Sequence, residues 1–324
     1  MWAYLTRRLI QAVAVVFVMA VIVFFGVNVI GNPVDILINP EFTEAEYQQA
    51  IRALGLHLPL HEQFLVFIEN AMKGDLGLSF VWGEPALKLI AQRLPATFEL
   101  AAAALILSIV LGIPLGMYAG SKPHSWVSKT IVSSSILGFS LPTFWVGIMM
   151  IMVFAVMLGI LPSTGRGDTV LVFGIEWSFL TWNGLTHLAL PAVNLALTNI
   201  ALVIRLSRAG TREVMLQDYI KFARAKGLSQ RRITLVHVLK NTLIPVVTVL
   251  GLELGTLIAF SVVTETVFAW PGMGKLIIES IQVLDRPVVV AYLMLTVLLF
   301  VSINLLVDIL YSVIDPRVRI SGAK

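Results

Sequence analysis

Residues Phe222 to Pro245 read FARAKGLSQRRITLVHVLKNTLIP. Arg224, Lys226, Arg231, Arg232 and Lys240 crowd into this one segment, in a chain that is 58% hydrophobic and 13% charged. A soluble domain cannot hide so much apolar surface, because covering a globule with water-compatible side chains takes far more charge. The chain therefore belongs in a bilayer, and the basic stretch is a loop between spans.

Outward from that loop, apolar runs recur on both sides. Roughly 20 apolar residues at ~1.5 Å each cross the ~30 Å hydrocarbon layer. Six such spans are predicted: Leu9 to Ile30, Thr97 to Ala119, Ile131 to Ile160, Leu188 to Leu206, Leu243 to Phe268 and Val288 to Val313. All are expected to be helices, giving an all-α polytopic membrane fold. Lipid offers the backbone no partners, and whole-face apolarity is unlike the alternation of barrel strands. The long third span is expected to tilt or to run past the bilayer surface, and Ser140-Leu141-Pro142 interrupts it. Arg7-Arg8 followed by an apolar run resembles a secretory signal, but the run is too long and lacks an Ala-x-Ala site, so it is read as an uncleaved first span.

Loop charge sets the orientation. With the N-terminus inside, 16 of the 23 Lys and Arg fall on the inner side, so both termini are expected in the cytoplasm. The outer loop from Gly31 to Ala96 carries Asp35, Glu41, Glu44, Glu46, Glu62, Glu69, Asp75 and Glu84. Within it, TEAEYQQAIRALGL and LHEQFLVFIENAMKGDLG read as two short amphipathic helices, the second ending at Gly74. Residues 1–96 are thus a first span with an extracytoplasmic subdomain, 97–313 the core with a cytoplasmic loop at 209–242, and 314–324 a tail. A Gly-, Ser- and Thr-rich stretch after the third span holds two Trp, expected as interfacial anchors, and an RGD at Arg166 to Asp168 that carries no weight as a motif. There is no cysteine, hence no disulfide frame and no thiolate metal site. No internal repeat of the kind common in secondary transporters is evident.

Three readings compete for the basic loop: a topological signal, attraction to anionic headgroups, or docking on a partner protein. Counting charges does not separate them, but the pattern within the loop helps. DYIKFARAKGL holds helix formers and then Gly227, a stop residue, and SQRRITLVHVLKNTLIP restarts with Ser229 as N-cap. Two short helices joined by a glycine turn make a knob, with Ala223 and Ala225 on its close-packed side and Leu228 at the tip. A polybasic tether needs no such design.

The segment resembles the EAA loop of ABC-transporter permeases in the branch that carries dipeptides, oligopeptides and nickel, on Ala223, Arg224, Ala225, Lys226, Gly227, His237, Asn241, Ile244 and Pro245. YLTRRL, GDLGLS, RLPATFELA, SLPTFWVG, TETVFAWPGMGKL and NLLVDILYSVIDPRVR are similar to that branch in the same order along nearly the whole chain. The resemblance is greatest to dipeptide permease subunits. The glutamate of the general EAA pattern is absent and the Gly227 to Pro245 interval is longer, so single ATPase contacts do not carry over from other branches. The resemblance implies a type I importer permease of the bacterial inner membrane. Its implied partners are a second, homologous permease, two cytoplasmic ATPases, a periplasmic binding protein and membrane lipid, with no nucleic acid. The coupling residues would be Ala223, Arg224, Ala225, Lys226, Gly227, Leu228 and Arg231. Glu265, Phe268, Trp270, Pro271, Gly272 and Gly274 look like the outer re-entrant gate, against the alternative of an interfacial aromatic belt.

The chain carries no engine. AWPGMGKL misses a phosphate-binding loop at Ala269 and Leu276 and falls on the outer side, so ATP and Mg are expected only in partner subunits. His61 lacks the second histidine of H-E-x-x-H, and no G-x-S-x-G elbow occurs; the chain is not expected to be an enzyme. Acids in spans are costly and often functional. Glu99 and Glu265 are expected to reach water at the outer ends, while Glu253 and Asp308 lie deeper. Ser140, Pro142, Asn194, Asn199 and Glu253 are candidates to line a path, with interhelical hydrogen bonding as the alternative. A rival class, an ion-coupled transporter or channel, would use Glu253 or Asp308. Within the resembled branch, nickel and glutathione stay open as cargo.

Overall fold

The computed structural model describes residues 2–29, 43–53 and 57–314. Of the expected tail at 314–324, residues 315–324 lie outside the described residues, as do the side chains of Ile244 and Asp308. Helix α1 runs Trp2–Val29, and two short helices follow, α2 at Glu44–Ala53 and α3 at Leu60–Met72. These are the two amphipathic helices expected in the first long loop, and Gly74 ends the second with φ +78°. Phe64 and Phe67 of α3 pack on Phe24 of α1 with ring centroids 5.3 and 5.7 Å apart.

Helices α4 (Ala86–Ser121) and α7 (Trp182–Met215) form the spine. Between them lie α5 (Trp126–Ser140), α6 (Thr143–Met150) with a π-helical extension over Ile151–Met157, and a hairpin of β1 (Val170–Val172) and β2 (Ile175–Trp177). The strands pair antiparallel, Val170 opposite Trp177. After α7 come α8 (Asp218–Ala225), the single turn α9 (Gln230–Arg232), a π-helical stretch Ile233–Val238 and α10 (Leu239–Val267). The described chain closes with α11 (Met273–Gln282) and α12 (Arg286–Ile314).

Small residues bring the spine together. A Cβ on Gly112 would lie 2.7 Å from Val203, one on Gly116 2.6 Å from the Ile204 carbonyl, and one on Gly120 2.7 Å from the Arg208 carbonyl. Glycines four residues apart share one helix face, and without side chains the two backbones touch. Ser108 Oγ continues the seam, 2.8 Å from the Ala104 carbonyl and 3.5 Å from that of Ala196. The partners advance together along both helices, so α4 and α7 run parallel. The chain must therefore return across the bundle between them.

That return is the predicted third span, and it is not one helix. Helices α5 and α6 meet at 106°. Leu141 is extended at φ −87°, ψ 138°, because the residue before a proline is driven out of the helical region. Pro142 lacks the N–H that would continue the ladder. Among the described residues five helices are long and apolar enough to cross a membrane, and there are six if the bent pair is one broken span. Pro95, Pro114, Pro191 and Pro245 sit inside helices without breaking them.

Helix α10 packs antiparallel on α7, with Thr242 near Gly210 and Thr264 near Asn194, and antiparallel on α12, with Gly251 on Val307 and Gly255 on Phe300. Residues 8–15 of α1 face 300–305 of α12. One end of the bundle carries the β-hairpin and α11; the other carries the basic loop. The main core, with Leu100, Leu257, Ile258, Trp270 and Met273, lies toward the hairpin end. A second cluster, with Ile113, Met117, Val203 and Ile220, lies toward the basic end.

Candidate functional site

At the basic end, α8 presents Ile220 and Ala223 inward, three residues apart on one face, where both are buried with Ile233 and Val238. Gly227 then turns the chain at φ +76°, a left-handed conformation that costs a side-chain-bearing residue. Ser229 caps the restart, its Oγ accepting from the Arg232 N–H at 3.4 Å. Asn241 Nδ2 donates to Tyr219 Oη at 2.9 Å and so ties α8 to α10. Asp218, in the first turn of α8, pairs with Lys221 at 2.8 Å, and this cation holds its carboxyl below the usual range.

The outer surface of this knob is basic and aromatic. Arg224, Lys226, Arg231, Arg232 and Lys240 are exposed, with Tyr219 and Phe222 among them. Lys226 Nζ lies 4.6 Å from the Phe222 ring centre. Two details differ from the sequence expectation. Ala225 is exposed, since a step of two residues turns about 200° and carries it away from the Ala223 face. Leu228 is half-buried against the second core cluster rather than standing free at a tip.

At the hairpin end the expectation that Glu99 and Glu265 reach water is corrected: both are buried. Glu99 Oε1 accepts from the Ser178 N–H at 2.8 Å, Ser178 Oγ at 2.8 Å and the Phe179 N–H at 2.7 Å. Its Oε2 takes Arg166 Nε at 2.9 Å and Nη2 at 2.6 Å. Arg166 also donates to the Glu176 carbonyl at 2.7 Å and stacks 5.8 Å from the Trp270 ring centre. One carboxylate thus fastens α4 to the segment around the hairpin. Buried charge is tolerated because its lone pairs and N–H groups are met.

Glu265 organises the turn from α10 into α11. It accepts from Thr97 Oγ1 at 2.7 Å, Ser261 Oγ at 2.9 Å and the Lys275 N–H at 3.0 Å. A Cβ on Gly272 would fall 2.4 Å from the Glu265 carboxylate, and one on Gly274 2.7 Å from Val262 Cα. These glycines leave room for the carboxylate at the start of α11, where N–H groups lack helical partners. Pro271 stands between Trp270 and Gly272, and Ala269 is left-handed at φ +47°. Phe268 and Trp270 are fully buried, Trp270 Nε1 donating to the Ala96 carbonyl at 2.8 Å. Thr97 Oγ1 closes the set by accepting from the Met273 N–H at 2.9 Å. Of the six residues picked out for an outer gate, Glu265 and Trp270 bond directly to α4, and Gly272 and Gly274 make room for the Glu265 carboxylate. Asp285, also buried, takes Ser79 Oγ, and the Phe80 N–H at 3.2 Å, docking the GDLGLS stretch onto the loop before α12.

The five candidate path residues are not brought to one place. Asn194 is buried between α6, α7 and α10, its Nδ2 donating to Thr264 Oγ1 at 3.2 Å. Asn199 is buried, Ser140 and Pro142 are exposed at the bend, and Glu253 is half-buried on α10, about 16 Å along the helix from Thr264. Ser140 Oγ is engaged by the Ile136 carbonyl at 2.8 Å. Sequence reading passed over Arg166, Asp285 and the glycine seam. The seam was readable as glycine at every fourth residue from 112 to 120; Arg166 and Asp285 left no local signal, because their partners lie 67 and 206 residues away.

Two family models cover the chain. The binding-protein-dependent transport system inner membrane component matches residues 112–320, and the corresponding N-terminal membrane component matches residues 1–101. This chain belongs to that family of transport permeases. A dipeptide transport system permease protein of Escherichia coli (strain K12) is 36% identical, over 98% of this chain and 99% of its own length. An oligopeptide transport system permease protein of Bacillus subtilis (strain 168) is 36% identical over 98% of this chain and all of its own. A probable D,D-dipeptide transport permease of Escherichia coli (strain K12) is 39% identical over all of this chain. Among solved structures, an inward-facing methionine ABC transporter superposes with a TM-score of 0.53 at 18% identity, covering 70% of this chain and 96% of the other. That likeness shows that this binding-protein-dependent permease has the ABC-importer permease fold.

Proposed function

We propose that this permease is the membrane subunit of an ATP-driven importer of short peptides in the bacterial inner membrane. Its basic end faces the cytoplasm with both termini. The observation that carries the reading is the knob: a short helix and glycine turn clamped to the helical bundle by Ile220 and Ala223, with cations and aromatic rings turned outward. Such a part takes up a push and passes it to the bundle. The push comes from two partner ATPases, which hold the ATP and Mg, and a second homologous permease completes the path. Substrate arrives from a periplasmic binding protein at the hairpin end, where residues 265–274 form the outer gate. Peptide cargo is favoured by the relatives that match end to end.

The test is extraction from the native membrane in mild detergent, with identification of what co-purifies. Two P-loop ATPases and a second permease are expected, lost when Arg224 and Lys226 are reversed to Glu. Dipeptide uptake by the reconstituted assembly is expected to require ATP. A chain that comes out alone across several gentle detergents overturns the proposal in favour of ion-coupled transport.

A further inference from the structure

Two arginines stand apart from the knob. Arg205 and Arg208 lie three residues apart on one face of α7. Arg208 is level with the end of α4, where its carbonyl meets Gly120, so both guanidinium groups sit near the boundary of the spans. Between this face and α5 is a cavity of about 340 Å³, walled by Val132, Ile136, Phe139 and Leu202 with the two arginines toward the basic end. No acidic side chain lines it. Neither arginine pairs with a carboxylate among the described residues. The Nε of Arg208 is buried without a hydrogen-bond partner, a state that ordinary interiors avoid.

We propose that this cavity binds an anionic phospholipid, its phosphate held by Arg205 and Arg208 and an acyl chain lying between α5 and α7. The guanidinium fork matches phosphate oxygens in geometry and charge, and basic pockets between membrane helices suit acidic headgroups. The apolar walls call for a hydrocarbon tail rather than a peptide. A peptide's amides and ammonium need partners, and the one wall hydroxyl, Ser135 Oγ, is already donated to the Val132 carbonyl at 2.8 Å. A second apolar cavity of about 370 Å³ flanks α5 on its other side and shares Ser135, Ala201 and Ile204 with the first. A two-chain lipid can therefore straddle the helix. The site is independent of which cargo the permease carries.

The intact transporter, extracted and passed through lipid-free detergent, is analysed by native mass spectrometry after titration with phosphatidylglycerol or phosphatidylcholine. Wild type is expected to retain phosphatidylglycerol at least tenfold better. Arg205→Gln with Arg208→Gln is expected to erase that preference, and Ser135→Phe, which fills the wall and leaves both arginines, to lower retention of the lipid itself. Should the double variant fail to assemble, the wild-type preference and the Ser135→Phe arm still decide. Equal retention of the two lipids by wild type, unchanged preference in the double variant, or an intact assembly that holds no lipid overturns the proposal. So does displacement of phosphatidylglycerol by a dipeptide but not by its C-terminal amide, which would assign the arginines to a cargo carboxylate.

Discussion

Arg166 and Glu99 are worth most as a pair. Removing one partner of a buried ion pair strands the other charge and costs about 3–5 kcal/mol, whereas replacing both is far milder. Arg166→Ala is therefore expected to lower the thermal midpoint of the detergent-solubilised protein strongly, and Glu99→Gln with Arg166→Met to recover much of the loss in the same melt. Gly116 makes a sharper case. A Cβ there would lie 2.6 Å from the Ile204 carbonyl, while one on Gly26 would meet nothing within 4 Å. Gly116→Leu is expected to abolish accumulation of folded protein and Gly26→Leu to leave it near wild type, read by size-exclusion profiles of the extracted chain.

Elements add what single residues cannot. The turn into α11 depends on the carboxylate of Glu265 filling the space that Gly272 and Gly274 leave. The chain has no cysteine, so a single Met273→Cys reports on that turn without background. Its thiol is expected to resist a water-soluble maleimide in the resting protein, since Met273 is buried. Adding Gly272→Val, which collides with the Glu265 carboxylate, is expected to make it react at least tenfold faster. At the opposite end, Gly227→Val places a branched side chain in a left-handed turn at a cost of about 1–3 kcal/mol. Peptide uptake is expected to fall several-fold while the assembly still co-purifies, which separates the knob's shape from its charge.

For the molecule as a whole, much was legible in the sequence and the remainder has physical reasons. Long apolar runs dictated helices at membrane length, and Gly227 with Ser229 marked the knob, because these signals are local. The break at Leu141 and Pro142 was visible as a proline, yet its 106° bend was not. Pro95, Pro114, Pro191 and Pro245 show that surrounding packing decides whether a helix continues through a proline. The burial of Glu99 and Glu265 escaped notice for a related reason. Position near a span end suggests water, but donors from Arg166, Ser178 and Thr97 arrive from distant segments. Ala225 was assigned inward on residue type alone, where helical phase relative to Ile220 and Ala223 turns it out.

The parallel seam between α4 and α7 has a mechanical meaning. Backbones touching at Gly112, Gly116 and Gly120 make the two helices one stiff strut rather than two rods free to slide. Near one tip of that strut sits the cluster gripping Ile220 and Ala223; near the other sits the carboxylate of Glu99. A tilt imposed at the first tip must reach the second with little lost to bending. Under the proposed function, stiffness, as distinct from stability, is then a trait on which the coupling of the two ends would depend. Substitutions that only soften the strut would leave both tips well formed and yet leave them out of step.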